Sequence, residues 1–543
     1  SLGVIASANN GENGVYIWNS KDTVNFENQR YLTLAETGTQ VQDPSLVYDA
    51  ATQNYKIFWQ DQNGGAYVSV FESLENGSKP EVTYTAYITE EKPDGELPEE
   101  AVAEEAGGFS MSAAEYELFQ KKYGTLHNTG VDSVEVSVEE GEELNLPDTV
   151  TAHYSDGTEK NLGVKWDEEA LKEIDTSESG TYTIEGEVQQ DAFSYPFIAE
   201  RADPHVFYNE DDGYYYSTGS YYPVSDPQTW GFYAGDCYRA IGIRRAKTLG
   251  GLQSAEEHLM FDPDNDPDAQ WGTFLWAPEF HKINGTWYCL VGASRGKKAP
   301  GQYGWCSNSV LIPYIGDGDD STSLEEDIQA GGMLDKNQWG DPIILEGAPS
   351  FDVSYYEDEN GQGYYVLPNT PGGAQISIVK AKSEGVPQFD GEKVMVKTIE
   401  FPWEYGIYEG SVSASNPEGT DQGVVEGPYL FSYGDKVYIS YSGATVDKYY
   451  CLGLMVADKG SDIMDPDSWT NVNYPLLSSY DTADGQIGGA SHMGGGHNSV
   501  VVDEYGNLAL IYHARPNPDP HEGKGGAGGL FDPCRNTMVK SIN

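Results

Sequence analysis

Apolar and aromatic residues recur along this chain as short runs, each entered from a turn. Asp212-Gly213 leads into Tyr214-Tyr215-Tyr216, Asn284-Gly285 into Thr286-Trp287-Tyr288, and Gly363 into Tyr364-Tyr365-Val366. Further on, Gly434-Asp435 leads into Lys436-Val437-Tyr438 and Gly506-Asn507 into Leu508-Ala509-Leu510. Runs this short, rich in aromatic and β-branched residues, predict strands joined by tight hairpins. An acidic or histidine-bearing motif precedes each run: Arg201-Ala202-Asp203-Pro204, Trp276-Ala277-Pro278-Glu279, Ser350-Phe351-Asp352, Glu426-Gly427-Pro428-Tyr429 and Gly496-His497-Asn498-Ser499. From Asp203 to Glu279, Asp352, Glu426 and His497 the steps are 76, 73, 74 and 71 residues. A long, nearly constant period with hairpin signals inside it is the mark of a radially repeated sheet. The 348 residues from 196 to the end hold nearly five such periods, which predicts an all-β, five-bladed β-propeller.

The rest of the chain follows other patterns. Residues 1–90 carry strand signals, among them Gly14-Val15-Tyr16-Ile17-Trp18, Asp43-Pro44-Ser45-Leu46-Val47-Tyr48 and Tyr55-Lys56-Ile57-Phe58-Trp59. They echo the later repeats but amount to fewer than two of them, a non-catalytic, propeller-like β segment expected to pack on a neighbour or to belong to a larger parent. Residues 91–128 are acidic and rich in Ala and Glu, a linker with one short helix beginning near Ser112-Ala113-Ala114-Glu115. Residues 129–192 alternate again, in Val134-Glu135-Val136-Ser137-Val138, Val150-Thr151-Ala152-His153-Tyr154 and Thr181-Tyr182-Thr183-Ile184. That pattern predicts a small β-sandwich. Near the end, Leu530-Phe531-Asp532-Pro533 lies past the fifth turn, where a strand that closes the ring is expected to begin.

Composition narrows the partners. With 31 basic and 87 acidic residues the formal charge is −56, which repels nucleic acid and anionic lipid. Aromatics make up 12% of the chain, including 39 Tyr and 11 Trp, and aromatic faces are what neutral sugars stack on. Five widely spaced cysteines give neither a metal-type spacing nor a disulfide framework. The sequence contains no 18-residue apolar run, so membrane insertion is not expected. The acidic, lysine-poor surface suits an extracellular or cell-surface bacterial protein.

In a propeller the innermost strands surround a central channel, so Asp203, Glu279, Asp352 and Glu426 are expected to converge at one mouth. Crowded carboxylates lose solvation and repel, and at least one then keeps its proton. A protonated acid beside an ionised base is the pair that cleaves a glycosidic bond, about 6.5–9.5 Å apart when the product inverts.

With this motif order the segment 196–543 resembles glycoside hydrolase family 43. The resemblance implies Asp203 as general base, Glu426 as general acid and Asp352 as the aspartate that tunes the acid and orients substrate. It departs from the family pattern where Asp352 is followed by Val353 instead of Pro. It further implies Trp276 and Phe351 as walls of the sugar pocket, Glu279 as a supporting polar group, and Arg515 of Tyr512-His513-Ala514-Arg515 as the arginine beneath the sugar. His497 matches a histidine that in relatives approaches a structural calcium ion or its waters. A lone imidazole is a poor site for so hard a cation, so a structural calcium in the channel near His497 and a core histidine bonded to a backbone carbonyl both stay open. No cofactor is required for the chemistry. The module at 129–192 resembles bacterial Ig-like domains through Tyr154-Ser155-Asp156-Gly157-Thr158 and Val164-Lys165-Trp166.

Each motif alone has a bland reading. Asp-Pro starts a turn, Glu-Gly-Pro is a loop, a buried Trp is core and a buried Arg sits in an ion pair. The joint order and period favour chemistry over all of these. The function expected is an inverting glycosidase acting on arabinan or arabinoxylan, an α-L-arabinofuranosidase first, then a β-xylosidase or endo-arabinanase. A carbohydrate-binding propeller without turnover is the competing class. The stretches 221–238 and 316–332 are expected to wall the channel mouth.

Overall fold

A computed structural model describes residues 2–7, 13–20, 26–36, 38–75, 78–86, 114, 128–155, 157–189, 193–221, 240–261, 271–295, 308–319, 321–369, 373–404, 423–444, 446, 450–472, 475–477, 492–516 and 535–541. The helix expected at 112–115 falls almost wholly outside them, as do Leu530–Pro533 and residues 222–239.

Five antiparallel sheets follow one another, each built as a meander in chain order. Blade one comprises Arg201–Asn209, Tyr214–Tyr221, Ile241–Ala246 and His258–Phe261. Blade two comprises Trp271–Ile283, Thr286–Arg295, Asn308–Pro313 and Ile343–Ile344. Blade three comprises Ser354–Glu357, Gly363–Pro368, Gln375–Ala381 and Phe389–Thr398. Blade four comprises Val425–Tyr433, Lys436–Gly443, Cys451–Asp458 and Thr470–Asn471. Among the described residues blade five has three strands, His492–Val502, Leu508–Pro516 and Asn536–Ser541. Each hairpin predicted from the sequence sits between the first two strands of its blade.

The core lies in the wedges between neighbouring sheets. Phe207, Tyr216, Phe280 and Trp287 fill the wedge between blades one and two, and Leu290, Leu311, Tyr365 and Val379 the next. The ring shuts where Val206 and Tyr215 of blade one meet Val501 and Ile511 of blade five, with Phe197 and Ile198 between them. Closure itself is by hydrogen bonding: the Ile198 and Thr537 backbones exchange N–H···O bonds of 3.2 and 2.9 Å. The clasp is therefore Phe197–Ile198, which enters the ring ahead of blade one and lies against the outermost strand of blade five.

One backbone feature is shared by all five blades. Asp203, Ala277, Asp352, Gly427 and His497 have φ of 48°, 46°, 63°, 50° and 41°. Four of them lie in register shifts, between Ala202 and His205, Trp276 and Glu279, Glu426 and Tyr429, and Gly496 and Asn498. Asp352 stands just before the first strand of its blade. A left-handed residue at a bulge bends the strand and re-aims its side chains, here toward the channel. Structural equivalence thus runs Asp, Ala, Asp, Gly, His. Glu426 stands one residue before this position and Glu279 two after it, so the carboxylates do not occupy the same place in successive repeats.

Residues ahead of the ring form three more sheets. Leu2–Ser7, Gly14–Ser20 and Phe26–Thr33 make one, and Val41–Asp49, Asn54–Asp61, Ala66–Phe71 and Val82–Ala86 the next. In the latter, Asp43 repeats the left-handed bulge of the ring, with φ of 46° and a register shift between Gln42 and Ser45. The third sheet pairs Gly186–Gln189, Glu159–Trp166, Thr149–Tyr154 and Asn128–Val131. It touches blade five, where Asn507 Nδ2 donates to the Asn161 carbonyl at 2.8 Å and Lys160 Nζ to Ser541 Oγ at 2.9 Å.

Two of the alternating segments expected as strands in this module are not strands. Val134–Val138 and Thr181–Ile184 pair with no neighbour, and Val136, Val138 and Tyr182 are exposed. Alternation makes a strand only where a second surface takes the apolar face, and none does here. No helix among the described residues is long and apolar enough to cross a membrane.

Candidate active site

The first strands of the blades start at one mouth of the channel, and their bulges set the reacting groups there. Asp203 is the most heavily supported. Ser220 Oγ donates to its Oδ2 at 2.6 Å and Arg535 Nη1 to its Oδ1 at 3.1 Å. Ser220 in turn accepts from the Ala277 amide at 3.0 Å, so the bulge of blade two orients the group that orients Asp203. The Asp203 amide donates to His513 Nδ1 at 3.1 Å. Burial, then the Arg535 charge, pushes His513 down to about 3, so its imidazole is neutral and its Nδ1 is free to accept. Burial works against the charge on Asp203 too, but Arg535 overcomes it and holds the carboxyl well below the usual range. Asp203 is an ionised carboxylate.

Asp352 has the opposite character. It is buried, and burial followed by the charges of Glu426 and Asp203 pushes it well above the usual range. The Gly427 amide donates to its Oδ2 at 3.0 Å, tying blade three to the residue beside Glu426. Glu426 is 7% exposed, and Tyr450 donates its hydroxyl to Oε1 at 3.0 Å. His497 Nδ1 stands between two carboxylates, 3.8 Å from Asp203 Oδ1 and 3.8 Å from Asp352 Oδ1. Its own amide donates to Ser442 Oγ at 2.8 Å. Asp203, Asp352, Glu426 and His497, from four blades, are therefore gathered at one place, and the charge of Glu279 also acts on Asp352 and His497.

Trp276 and Phe351 meet edge to face at the same mouth, with centroids 5.1 Å apart, and both remain partly exposed. An aromatic corner beside carboxylates can hold a sugar face. Glu279 lies deeper, its Oε2 2.6 Å from His281 Nε2. Arg515 is buried, and its Nη2 donates to the Val446 carbonyl at 3.0 Å. The arginine that reaches Asp203 is Arg535, which sequence reasoning missed. It follows residues 517–534 and precedes the last strand of the ring, so only closure carries it across. Tyr450 and Ser220 were missed as well, and nothing in their local sequence marks them. The stretch 316–332 does not wall this mouth. Its helix α1, Leu324–Gln329, lies at the other end of the sheets, where Gln329 Nε2 donates to the Asp211 carbonyl at 3.3 Å.

Ligand atoms of His205, Glu279 and His281 lie within 4.8 Å of one another. Yet the Phe280 amide donates to His205 Nδ1 at 3.1 Å, which leaves the proton of the neutral ring on Nε2. That nitrogen is a donor and not a ligand. Around His497, the carboxylates of Asp203 and Asp352 already accept from Ser220, Arg535 and Gly427. A cation that takes six to eight oxygens finds no such set among the described residues. The donors fit hydrogen bonding between acids.

What the cavity offers is an anionic carboxylate facing a proton-retaining carboxyl pair, with an aromatic corner beside them. Such a site suits proton transfer in opposite directions on two faces of one neutral substrate.

Two segments of the chain match known families. Residues 193–543 match the family model described as Glycosyl hydrolases family 43, and residues 131–191 match one described as Bacterial Ig-like domain (group 4). An extracellular exo-alpha-(1->5)-L-arabinofuranosidase of Streptomyces chartreusis is 26% identical over 60% of this chain and 82% of its own length. Another of the same name, from Streptomyces avermitilis, is 28% identical over 64% of this chain but only 61% of its own. A crystal structure of an alpha-L-arabinofuranosidase from Lactobacillus brevis is 26% identical, covers 64% of this chain and 92% of that one, and has a TM-score of 0.47.

Proposed function

Because the chain belongs to glycosyl hydrolases family 43, we propose that it is an inverting α-L-arabinofuranosidase that removes arabinose from arabinan or arabinoxylan outside the cell. The substrate is supported by the names of the two Streptomyces relatives, both extracellular exo-arabinofuranosidases. The chemistry is supported foremost by one observation: Asp203 is held ionised while Asp352, beside Glu426, is held protonated in the same cavity.

In this reading Asp203 takes a proton from water as that water attacks the anomeric carbon. Glu426 gives its proton to the glycosidic oxygen on the other face as the bond to the leaving sugar breaks. Asp352 stays by Glu426, keeps a proton within the pair and binds the sugar. Trp276 and Phe351 stack on it. Arg535 and Ser220 keep Asp203 charged and aimed. Because attack and departure occur on opposite faces in one displacement, the anomeric configuration inverts.

The roles make distinct predictions. Asp203→Asn is expected to lower kcat by roughly 10³-fold or more on every substrate, since no leaving group replaces an activated water. Glu426→Gln is expected to lose as much on arabino-oligosaccharides but less than about tenfold on dinitrophenyl glycosides, which depart without protonation. Rates on arabinosyl, xylosyl and galactosyl substrates, with the first-formed anomer followed by NMR, test the whole assignment. A retained anomer, or equal losses for Glu426→Gln across leaving groups, would refute it.

A further inference from the structure

The acid assigned above does not stand alone. Tyr450 lies just ahead of the third strand of blade four and is 2% exposed. Its hydroxyl donates to Glu426 Oε1 at 3.0 Å. The ring has little freedom to leave: it stacks on His513 with centroids 5.6 Å apart and 14° between planes. On another side it lies against the backbone of Gly496, where any Cβ would fall 1.9 Å from Tyr450 Cδ1. The glycine of Gly496-His497-Asn498-Ser499 is thus required by this ring.

Two hydrogen bonds near it have a fixed direction. The His497 amide can only donate, and it donates to Ser442 Oγ at 2.8 Å. A carboxylate oxygen can only accept, so the Tyr450 O–H is directed to Glu426 Oε1. Ser442 also interacts with the Tyr450 hydroxyl.

We propose that Tyr450 is a positioning residue for the general acid: by donating to Oε1 of Glu426 it places the transferable proton on Oε2 and stabilises the carboxylate left after transfer. This rests on Glu426 being the acid. In the step, the Oε2–H bond breaks as that proton bonds to the departing glycosidic oxygen, and the C–O bond electrons go to the same oxygen. Glu426 becomes an anion, and the Tyr450 hydrogen bond, weak to a neutral carboxyl, strengthens as that charge appears. Interactions that strengthen toward the transition state raise kcat more than they change KM.

Two signs follow. A donor to the carboxylate favours ionisation, so removing it raises the affinity of Glu426 for its proton. Activity that needs this proton is lost as pH rises through that value, so the high-pH limb must move up.

The test is Tyr450→Phe in the full chain, read beside Glu426→Gln. On arabinobiose, whose leaving sugar needs a proton, kcat is expected to fall about tenfold, the scale of one hydrogen bond to a charged group. KM and the rate on 2,4-dinitrophenyl arabinofuranoside should change less than about twofold, and the high-pH limb of kcat/KM should rise by about half a unit or more. Ser442→Ala should move that limb the same way by less, which keeps the test alive should Tyr450→Phe fail to fold. Equal losses on both substrates with an unmoved limb, while Glu426→Gln still separates the leaving groups, overturn the inference alone. If Glu426→Gln does not separate them, the acid assignment fails and the inference with it.

Discussion

Asp352 carries a cost that can be measured directly. Its carboxyl is buried beside two other acids, and burial with their charge raises its affinity for a proton in the folded protein. In the unfolded chain the same group ionises in the ordinary carboxylate range. Between those two values, folding must take up a proton or bury a charge, so stability contributed by this group is full below the unfolded value and lost as pH rises through the folded one. Asparagine mimics the protonated form and still accepts from the Gly427 amide. Asp352→Asn is therefore expected to raise the melting temperature at pH 7 by roughly 2 °C or more, with no gain near pH 3, while activity collapses. A melting curve at each pH checks it, and a gain that does not depend on pH would refute the electrostatic cause. Asp203 is the reverse case: its depressed value stabilises the fold at neutral pH, and that contribution fades as acid is added.

At the level of the element, the repeated unit is a strand with a left-handed bulge near its start. Non-glycine residues in that conformation cost about 1–2 kcal/mol, Asp and Asn bearing it more readily than most. Asp203, Ala277, Asp352 and His497 all carry it, and Gly427 occupies the fifth place. A Cβ on Gly427 would fall 2.9 Å from His497 Nδ1 and 3.3 Å from Ser442 Oγ. Gly427→Ala should accordingly cost about 2 kcal/mol in chemical denaturation, from strain and crowding together, and should disturb Glu426 next to it. A loss under half of that would show that the bulge relaxes.

This unit also marks what the sequence reveals and what it hides. Hairpin turns and aromatic runs were legible because each strand places one face in a wedge between blades. The bulge was not, since its five positions share only a backbone angle and hold Asp, Ala, Asp, Gly and His. Spacings counted between the four carboxylates and on to His497, 76, 73, 74 and 71, were therefore uneven images of bulges set 74, 75, 75 and 70 residues apart. Alternation misled at Val134–Val138, where no second sheet takes the apolar face. The same bulge recurs at Asp43, followed by Pro44 as Asp203 is by Pro204. There it is exposed, and among the described residues no counterpart of Arg535 or Ser220 holds its carboxylate.

At the scale of the whole molecule, the ring holds together through contacts between residues far apart in sequence. Ile198 is 3% exposed among Val206, Tyr215, Val501 and Ile511, and its backbone pairs with Thr537. Ile198→Asp would bury an unpaired charge at the seam and is expected to cost about 3 kcal/mol or more, read as a lower denaturation midpoint. Recovery at low pH, where the new carboxyl is neutral, would be partial, since the lost packing remains. A variant as stable as the parent would mean that the seam contributes little. Arg535 shows why the site was only partly readable: it lies 332 residues from Asp203 in sequence, and only the closed ring brings the two together.

That closure has a consequence for when the protein becomes active. Arg535 is the residue immediately before the strand Asn536–Ser541, against which Ile198 fastens. The guanidinium that readies Asp203 is thus delivered by the same few residues that latch the barrel of blades. During synthesis these are the last part of the ring to leave the ribosome. On the roles proposed above, a chain cut after blade four would keep its acid and its aromatic corner but lack both His497 and Arg535. Sugar cleavage by such a truncated chain is then expected to fail until the latch is supplied.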